Sequence, residues 1–77
     1  RIVEVRFPPG ARVAFENGDA RVQQQVWVLE GAIDVVVGRE RHRLREGDCL
    51  AMSLDQPSMF HNPTRRWARY AVVSAQQ

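Results

Sequence analysis

The sequence is poor in several residue types, and each shortage excludes a class of protein. It has no lysine, one cysteine and two histidines in 77 residues. A single cysteine excludes an internal disulfide. No apolar run approaches the roughly 20 residues that a membrane-spanning helix needs, so we expect no membrane association. All 11 basic residues are arginine, and a net charge of +2 is too small to predict nucleic-acid binding by itself.

What is present indicates one small globular domain. Hydrophobic residues make up 44% of the chain and charged residues 26%, which is typical of folded domains rather than disordered ones. A domain of this length buries a modest fraction of its surface and is often helped by oligomerisation. The chain begins with Arg1 rather than methionine, so we expect a piece of a longer protein. The lone Cys49 fits a cytoplasmic location, and we interpret it as a small buried apolar residue.

Short runs of alternating apolar and polar residues fill the chain, and no segment has a helical period. In the first run, Val3, Val5 and Phe7 share one face. Glycine, proline and asparagine separate the runs at short intervals. This pattern predicts an all-β sandwich or barrel. Its strands are expected at residues 1–7, 11–15, 22–29, 32–37, 40–44, 49–52, 58–61 and 67–73. We expect residues 74–77 to form a frayed tail.

The stretch from Gly47 to Asn62 organises the chain and resembles the second sequence motif of the cupins. That motif is a glycine, five residues, Pro-x-Gly, two residues, a histidine, three residues and an asparagine. Gly47 and Asn62 match it. Ser53 stands where the family has proline, Asp55 where it has the second glycine, and Ser58 where it has the metal-binding histidine. The frame of the motif is therefore present without its metal-binding side chain.

The first cupin motif is matched only at its ends. It is a glycine, five residues, His-x-His, three or four residues, a glutamate, six residues and a glycine. Gly10 and Gly31 take the terminal positions. Counting forward from Gly10 places Glu16 and Gly18 at the histidine positions, and counting back from Gly31 places Gln24 at the glutamate position. The first half of the chain contains no histidine at all.

The resemblance covers nearly the whole chain and implies a small cupin-type, jelly-roll-like antiparallel β-barrel spanning residues 1–77. The run from Val26 to Asn62 is similar to the C-terminal cupin domains of XRE-type helix-turn-helix transcriptional regulators. That likeness implies the C-terminal part of a longer bacterial protein, which binds DNA only through an N-terminal helical domain missing from this sequence. It also implies that the cupin senses a small-molecule effector and forms a homodimer.

The residues that are present do not make a cupin metal site or a catalytic arrangement. A mononuclear site needs imidazoles and a carboxylate that converge on one ion, and only His42 and His61 are available. His61 follows Ser58 by three residues, so the two side chains point to opposite faces of a strand. Ser53 and Ser58 have no identifiable histidine–carboxylate partner. We expect no metal, no other cofactor and no catalytic residue; the alternative is a free-standing small cupin enzyme, an isomerase or dioxygenase.

The remaining candidate site is a pocket in the barrel. We expect Gln24 and Ser58 to orient a ligand by hydrogen bonds, and His42 to be either a polar pocket group or a half-buried side chain bonded to backbone. The predicted pocket residues are Gln24, Val26, Val28, His42, Met52, Ser58, Phe60 and Tyr70. The alternative is that the apolar members are plain core, and that the domain is a structural dimerisation module without a ligand.

An outward-facing tryptophan is the candidate anchor of a dimer. Trp27 falls on the strand face opposite Val26 and Val28, and an aromatic residue on the outside of a barrel is a common interface anchor. We expect Trp27 to form the dimer interface together with Val3 and Val5 of the first strand. The alternative is that residues of the missing N-terminal domain cover Trp27.

Four arginines alternate along one predicted strand, at Arg39, Arg41, Arg43 and Arg45. We interpret them as a solvated outer face, where charge also discourages edge-to-edge aggregation. No aromatic residue that could stack on a base is interleaved with them. The alternative is a surface for phosphate or for an acidic partner.

Overall fold

The computed structural model describes residues 1–76, which form eight β-strands. The strands are β1 (Ile2–Phe7), β2 (Arg12–Phe15), β3 (Val22–Glu30), β4 (Ala32–Val37), β5 (Glu40–Arg45), β6 (Cys49–Ser53), β7 (Ser58–His61) and β8 (Ala68–Gln76). Every strand predicted from the sequence is present, although several ends differ. No helix long and apolar enough to cross a membrane occurs within the described range.

The strands form two antiparallel four-stranded sheets that face each other. Sheet one has the order β1-β8-β3-β6, and sheet two has the order β2-β7-β4-β5. Alternate side chains of each strand point between the sheets, because successive residues of a strand face opposite ways. They fill one core, made of Phe7, Val26, Val28, Ile33, Val35, Leu44, Met52, Phe60, Ala68 and Tyr70. This is the small all-β barrel that the sequence predicted.

The last strand extends further than expected. The prediction of a frayed tail at 74–77 is wrong for all but Gln77, which lies outside the described residues. Ser74 pairs with Gln24 of β3, and its backbone N–H donates to the carbonyl oxygen of Arg1 over 2.8 Å. The sequence of this stretch has no strand pattern. It forms a strand because its backbone pairs with β3 and, at Ser74, also bonds to Arg1. β8 therefore lies between β1 and β3.

Gly31 allows the turn between β3 and β4 to pass close to the start of β8. Its φ is +79°, which residues with a Cβ rarely adopt. A Cβ at this position would lie 3.0 Å from the carbonyl oxygen of Trp67 and 3.1 Å from Cα of Ala68. The glycine that ends the first cupin motif is therefore required by the packing of the backbone.

Asn62 anchors the connection between β7 and β8. Its side chain is fully buried, with a relative exposure of 0%. Its Nδ2 donates to the carbonyl oxygens of Phe7 (3.1 Å) and Arg66 (2.7 Å). Its Oδ1 accepts from the backbone N–H of Thr64 (3.0 Å) and from Oγ1 of the same residue (2.7 Å). The asparagine that matches the second cupin motif therefore joins the end of β1 to this connection.

The outer face of sheet one is mainly apolar at its centre. Two rows of outward residues cross it, Glu4-Ala71-Trp27-Cys49 and Ile2-Val73-Gln25-Ala51. We call this surface the apolar face after its six apolar members, Ile2, Trp27, Cys49, Ala51, Ala71 and Val73; Glu4 and Gln25 are its two polar members. Ile2 is 74% exposed and Trp27 is 49% exposed. Cys49 is exposed as well, so the prediction of a buried cysteine is wrong. Its pairing with the outward-facing Trp27 explains why.

The outer face of sheet two is cationic. One row across the sheet consists of Arg12, His61, Asp34 and Arg43. Asp34 accepts two hydrogen bonds from Arg43, at 2.8 and 3.0 Å, and these hold the pKa of Asp34 below its ordinary value. Arg41 and Arg45 lie on the same face of β5 and make no salt bridge with another described residue. Most of the positive charge on this face is therefore not neutralised.

Candidate ligand-binding site

A cavity of about 450 Å³ opens at one end of the space between the two sheets. Side chains of β1, β2, β3, β7 and β8 line it, together with the loops that follow β2 and β6. Most of its wall is apolar. Small-molecule sites are typically concave, largely apolar and about 300–1,000 Å³ in volume. The cavity therefore has the size and character of a site for one small ligand.

Four of the predicted pocket residues line this cavity. They are Gln24, Ser58, Phe60 and Tyr70. Ser58, Phe60 and Tyr70 are 8%, 2% and 4% exposed, so only small parts of these side chains reach the open space. The structure thus places Gln24 and Ser58, the two polar residues predicted to orient a ligand, in the wall of one cavity.

The other predicted pocket residues lie elsewhere. Val26, Val28 and Met52 are core residues with exposures of 0%, 1% and 6%, and the cavity does not reach them. His42 is half-buried on β5, an edge strand of sheet two. Its Nε2 lies 3.4 Å from Oε2 of Glu40, rather than against backbone. Val26, Val28, His42 and Met52 are therefore removed from the predicted pocket. Sharing a strand face shows that a side chain points into the barrel, but does not show how far along the barrel it lies.

The cavity also contains apolar residues that sequence reasoning did not assign to it. Val3 and Val5 of β1, Val72 of β8 and Leu54 of a loop all line it. Val3 and Val5 alternate with outward residues in the same phase as Phe7, so the signal that indicates a buried Phe7 could have found them. Leu54 gave no such signal, because a loop has no periodicity.

Val3 and Val5 therefore do not share a surface with Trp27. Val5 pairs with Tyr70, which points inward, whereas Trp27 belongs to the outer face of the same sheet. The prediction that grouped these residues in one dimer interface is corrected, because the two faces of a sheet cannot contact one partner surface. The outward residues of β1 near Trp27 are Glu4, which lies in the same row across Ala71, and Ile2, which lies in the next row across Val73.

The loops at the rim of the cavity are hydrogen-bonded to each other. The backbone N–H of Gly18 donates to the carbonyl oxygen of Leu54 over 2.6 Å, and Nδ2 of Asn17 donates to the carbonyl oxygen of Asp55 over 3.2 Å. Within the second loop, Oγ of Ser53 donates to Oδ1 of Asp55 over 2.8 Å. The rim is thus held in place before a ligand arrives, which lowers the entropic cost of binding.

Charge is confined to the rim. Among the described lining residues only Arg1 and Glu16 carry a charge at neutral pH, and both are exposed. Burial raises the pKa of Tyr70 to about 12. Its hydroxyl therefore stays protonated, and able to donate a hydrogen bond, at any physiological pH. The interior of the cavity is electrically neutral.

The sequence profile of the cupin domain family matches residues 3–74. The chain belongs to the cupin family. This confirms the family that the two sequence motifs predicted, although both motifs lack their usual metal ligands. A comparison with curated proteins finds no match for this cupin.

Solved cupin structures superpose closely on this one. The Cupin_2 domain of an XRE family transcriptional regulator from Enterobacter cloacae has a TM-score of 0.92 at 18% identity, over 99% of this chain and 80% of that one. An HTH_3 family transcriptional regulator from Vibrio cholerae scores 0.85 at 21% identity, over 99% and 43%. A cupin sugar phosphate isomerase from Silicibacter pomeroyi scores 0.82 at 28% identity, over 99% and 50%. These likenesses establish the fold, and the chain spans half or less of the last two proteins.

The positions of the cupin metal ligands surround the cavity but do not supply a metal-binding set. They are Glu16, Gly18, Gln24 and Ser58, and all four line it. Gly18 has no side chain, and the amide and hydroxyl of Gln24 and Ser58 bring no charge. His61 lies on the outer face beside Asp34, as its spacing from Ser58 predicted. Within residues 1–76 no group of three His, Cys, Asp or Glu could hold an ion. The donor chemistry of the cavity does not fit a cupin metal.

Proposed function

We propose that this cupin binds a small-molecule effector in its cavity and is the sensing and dimerisation domain of a transcriptional regulator. One observation carries the proposal. At the metal-ligand positions, Gln24 and Ser58 present neutral hydrogen-bonding groups to a preformed apolar cavity of about 450 Å³. The likeness to the cupin domain of an XRE family transcriptional regulator supports the regulatory setting.

The position of β1 offers a physical route from the cavity to an attached domain. Among the described residues β1 is an edge strand with β8 as its one neighbour, and Val3 and Val5 contribute to the cavity wall. Arg1 lies at the rim. In a longer regulator, the segment before Arg1 would leave the barrel at this point. A ligand that holds β1 in one position would then favour one arrangement of the attached domain, as differential binding to two states requires.

A ligand of the cavity should stabilise the protein only while the cavity is open. In a thermal-shift screen, a compound at a hundred times its Kd should stabilise the wild type by about 2.7 kcal/mol. For a domain of this size that raises Tm by about 10 °C or more. Val3→Trp, which places a large side chain in the cavity, should abolish the shift. The matched control Ala14→Trp should keep it, because Ala14 is the outward-facing neighbour of the cavity-lining Phe15 on β2 and lies outside the apolar face of sheet one.

Two results would count against this proposal. A screen in which no compound stabilises the wild type favours a structural dimerisation module, and an unchanged shift in Val3→Trp places the ligand outside the cavity. The regulatory part is tested in a protein that carries a helix-turn-helix domain before Arg1. There the same compound should change the affinity for operator DNA in the Ala14→Trp protein, and should have no effect in Val3→Trp.

A cupin enzyme is the second candidate, and the 28% identity to a sugar phosphate isomerase favours it. The lining of the cavity argues against it. Gln24 and Ser58 are poor ligands for a catalytic metal, and Arg1 is the one cation among the described lining residues that could meet a phosphate. An enzyme of that type should retain iron, manganese, nickel or zinc at stoichiometric level after loading, whereas we expect none to be retained.

We also propose that the apolar face of sheet one joins two copies of this cupin. Ile2 and Trp27 project from it together with the polar Glu4 and Gln25, while Ala51 and Ala71 are small. The charges beside it are balanced. Arg69 contacts Glu4 at 2.9 Å and Glu30 at 3.6 Å, and Arg6 lies next to it in the same row. A two-fold contact brings identical surfaces together, so a face with both signs of charge is suited to it and the cationic face of sheet two is not.

Trp27→Asp should convert the dimer into a monomer. The substitution removes an aromatic anchor and places like charges opposite each other across the two-fold axis, which should weaken the dimer by about 2 kcal/mol or more, or about thirtyfold in Kd. Sedimentation velocity over a concentration series measures this directly. Phe15→Asp is the matched control, because Phe15 is 53% exposed but belongs to sheet two. A wild-type protein that is monomeric throughout the series, or a Trp27→Asp protein that dimerises normally, would rule out this interface.

A further inference from the structure

Three hydrogen-bonding groups face the cavity without a protein partner. The hydroxyls of Ser58 and Tyr70 and the amide of Gln24 make no side-chain hydrogen bond to any other residue within 1–76. No fully buried polar side-chain atom in that range is left unpaired, so these groups are reachable from the cavity rather than sealed in the core. Each of them can both donate and accept. They are therefore available to a ligand, or to water that a ligand replaces.

The neutral interior selects against charged ligands. A carboxylate or phosphate drawn into the cavity would lose its hydration, and the described lining places no cation beside the three polar groups to compensate. Arg1 is exposed at the rim, where solvent screens it, and Glu16 on the same rim repels anions. Tyr70 contributes no charge either, because it remains protonated. A ligand that fills the interior is thus uncharged.

The walls favour an aromatic ligand. The rings of Phe60 and Tyr70 are stacked, with centroids 5.6 Å apart and an interplanar angle of 20°. Phe15 meets Phe60 edge to face, with centroids 5.9 Å apart at 88°. Aromatic rings in such clusters accept a further ring in stacked or edge-to-face contact, which adds to the benefit of apolar burial. Val5 and Val72 complete a wall without polar atoms in their side chains.

Building on the ligand-binding function proposed above, we propose that the effector is an uncharged, mainly apolar aromatic molecule that carries a hydroxyl or carbonyl group. The ring lies against Phe15 and Phe60, and its oxygen exchanges hydrogen bonds with Gln24, Ser58 or Tyr70. A ligand of this class pairs with at least one of the three polar groups, leaves the others to water, and needs no counter-ion. Sugar phosphates and amino acids do not belong to this class, because each brings at least one charge into the neutral interior.

Three compounds of the same shape test this class. They are 2-naphthol, which is neutral at pH 7, its carboxylate analogue 2-naphthoate, and naphthalene. Isothermal titration calorimetry on the wild-type protein should show 2-naphthol binding about tenfold or more tighter than 2-naphthoate, because the carboxylate loses its hydration. Naphthalene should bind about fivefold more weakly than 2-naphthol, because it leaves the polar groups without a partner.

Three conservative variants separate the polar contact from the apolar one. Gln24→Leu, Ser58→Ala and Tyr70→Phe each remove one polar group with little change in volume, so at least one of them should weaken 2-naphthol by about fivefold, and all three should leave naphthalene unchanged. Tight binding of 2-naphthoate would overturn the neutral-ligand class while leaving a ligand site in the cavity. Failure of all three compounds to bind also overturns the class. The sensing function itself falls only if the wider thermal-shift screen yields no ligand either.

Discussion

Replacing Phe60 with alanine should lower the free energy of unfolding by about 4 kcal/mol. The ring is 2% exposed, and it packs between Phe15 and Tyr70 with centroid distances of 5.9 and 5.6 Å. Its neighbours lie on separate strands and cannot close the space that the ring leaves. A loss of this size lowers Tm by about 15 °C or more in a domain of this length. Urea denaturation of wild type and variant, with a shared m-value, measures it.

Phe15→Ala is the matched control for Phe60→Ala. Both residues are phenylalanines on sheet two, both line the cavity, and their rings touch. Phe15 is 53% exposed, so its truncation should cost less than about 1 kcal/mol. Equal losses in the two variants would contradict the expectation that the buried ring of Phe60 contributes more to the free energy of unfolding than the exposed ring of Phe15. Should Phe60→Ala fail to fold, Phe60→Leu keeps most of the apolar area and should lie between the wild type and the control.

Asn62→Ala should cost about 3 kcal/mol, although the side chain is small. Its removal takes hydrogen bonds from the carbonyl oxygens of Phe7 and Arg66 and from the backbone N–H of Thr64. A buried polar group left without a partner costs roughly 1–3 kcal/mol. In the variant, the hydroxyl of Thr64 no longer donates to Asn62 and can donate instead to the carbonyl oxygen of Arg66, 3.0 Å away, so the three losses do not contribute equally. Thermal or chemical denaturation gives the value.

Asn62→Asp provides the sharper comparison. The carboxylate keeps the acceptor for Thr64 but lacks the two donors to Phe7 and Arg66, and it brings a negative charge close to their carbonyl oxygens. We expect this nearly isosteric change to destabilise the domain at least as much as alanine does. Thr64→Val, which removes only the hydroxyl of a partly exposed residue, should cost about 1 kcal/mol. A wild-type stability for Asn62→Asp would contradict the role given to the amide donors.

Alternation along a strand is enough to predict which faces are buried. Val26 and Val28 are inside and Trp27 is outside because successive side chains point to opposite faces, and no knowledge of the partner strands is needed. The positions of Gly31 and Asn62 in the cupin motifs could also be predicted from the sequence. Gly31 is needed for a positive φ and a close backbone approach, and Asn62 is needed to bond backbone groups on both sides of a connection. The all-β class and the cupin family therefore followed from local pattern and from two motif frames.

Depth, pairing and loop geometry could not be predicted in the same way. Gln24 and Val28 share a face, but only Gln24 reaches the cavity, since depth depends on where sheet two crosses sheet one. Val3 and Val5 were grouped with Trp27 in a dimer interface, although their alternation in phase with Phe7 indicates the inward face; what alternation does not show is that they line the cavity. Leu54 enters the site from a loop, and its position is fixed by its backbone bond to Gly18.

The residues at the metal-ligand positions show how far function can be predicted from this sequence. The sequence shows that Gln24 and Ser58 replace charged or imidazole ligands, and this predicts what the site does not hold. It does not predict what occupies the space instead, because the cavity depends on packing among strands far apart in sequence. Only the assembled barrel shows that the replacing groups converge on a single apolar space.

The place of β8 in sheet one has a consequence for how the protein is made. This strand, Ala68–Gln76, is the last of the described strands, yet within residues 1–76 it is the sole neighbour of β1 and one of the two neighbours of β3. A growing polypeptide must therefore hold β1 unpaired until residues 68–76 have been translated, and contacts of such long sequence separation form slowly. During that interval the edges of β1 and β3 are open to other chains. Sheet one can therefore be completed only after β8 has become available to pair with β1 and β3.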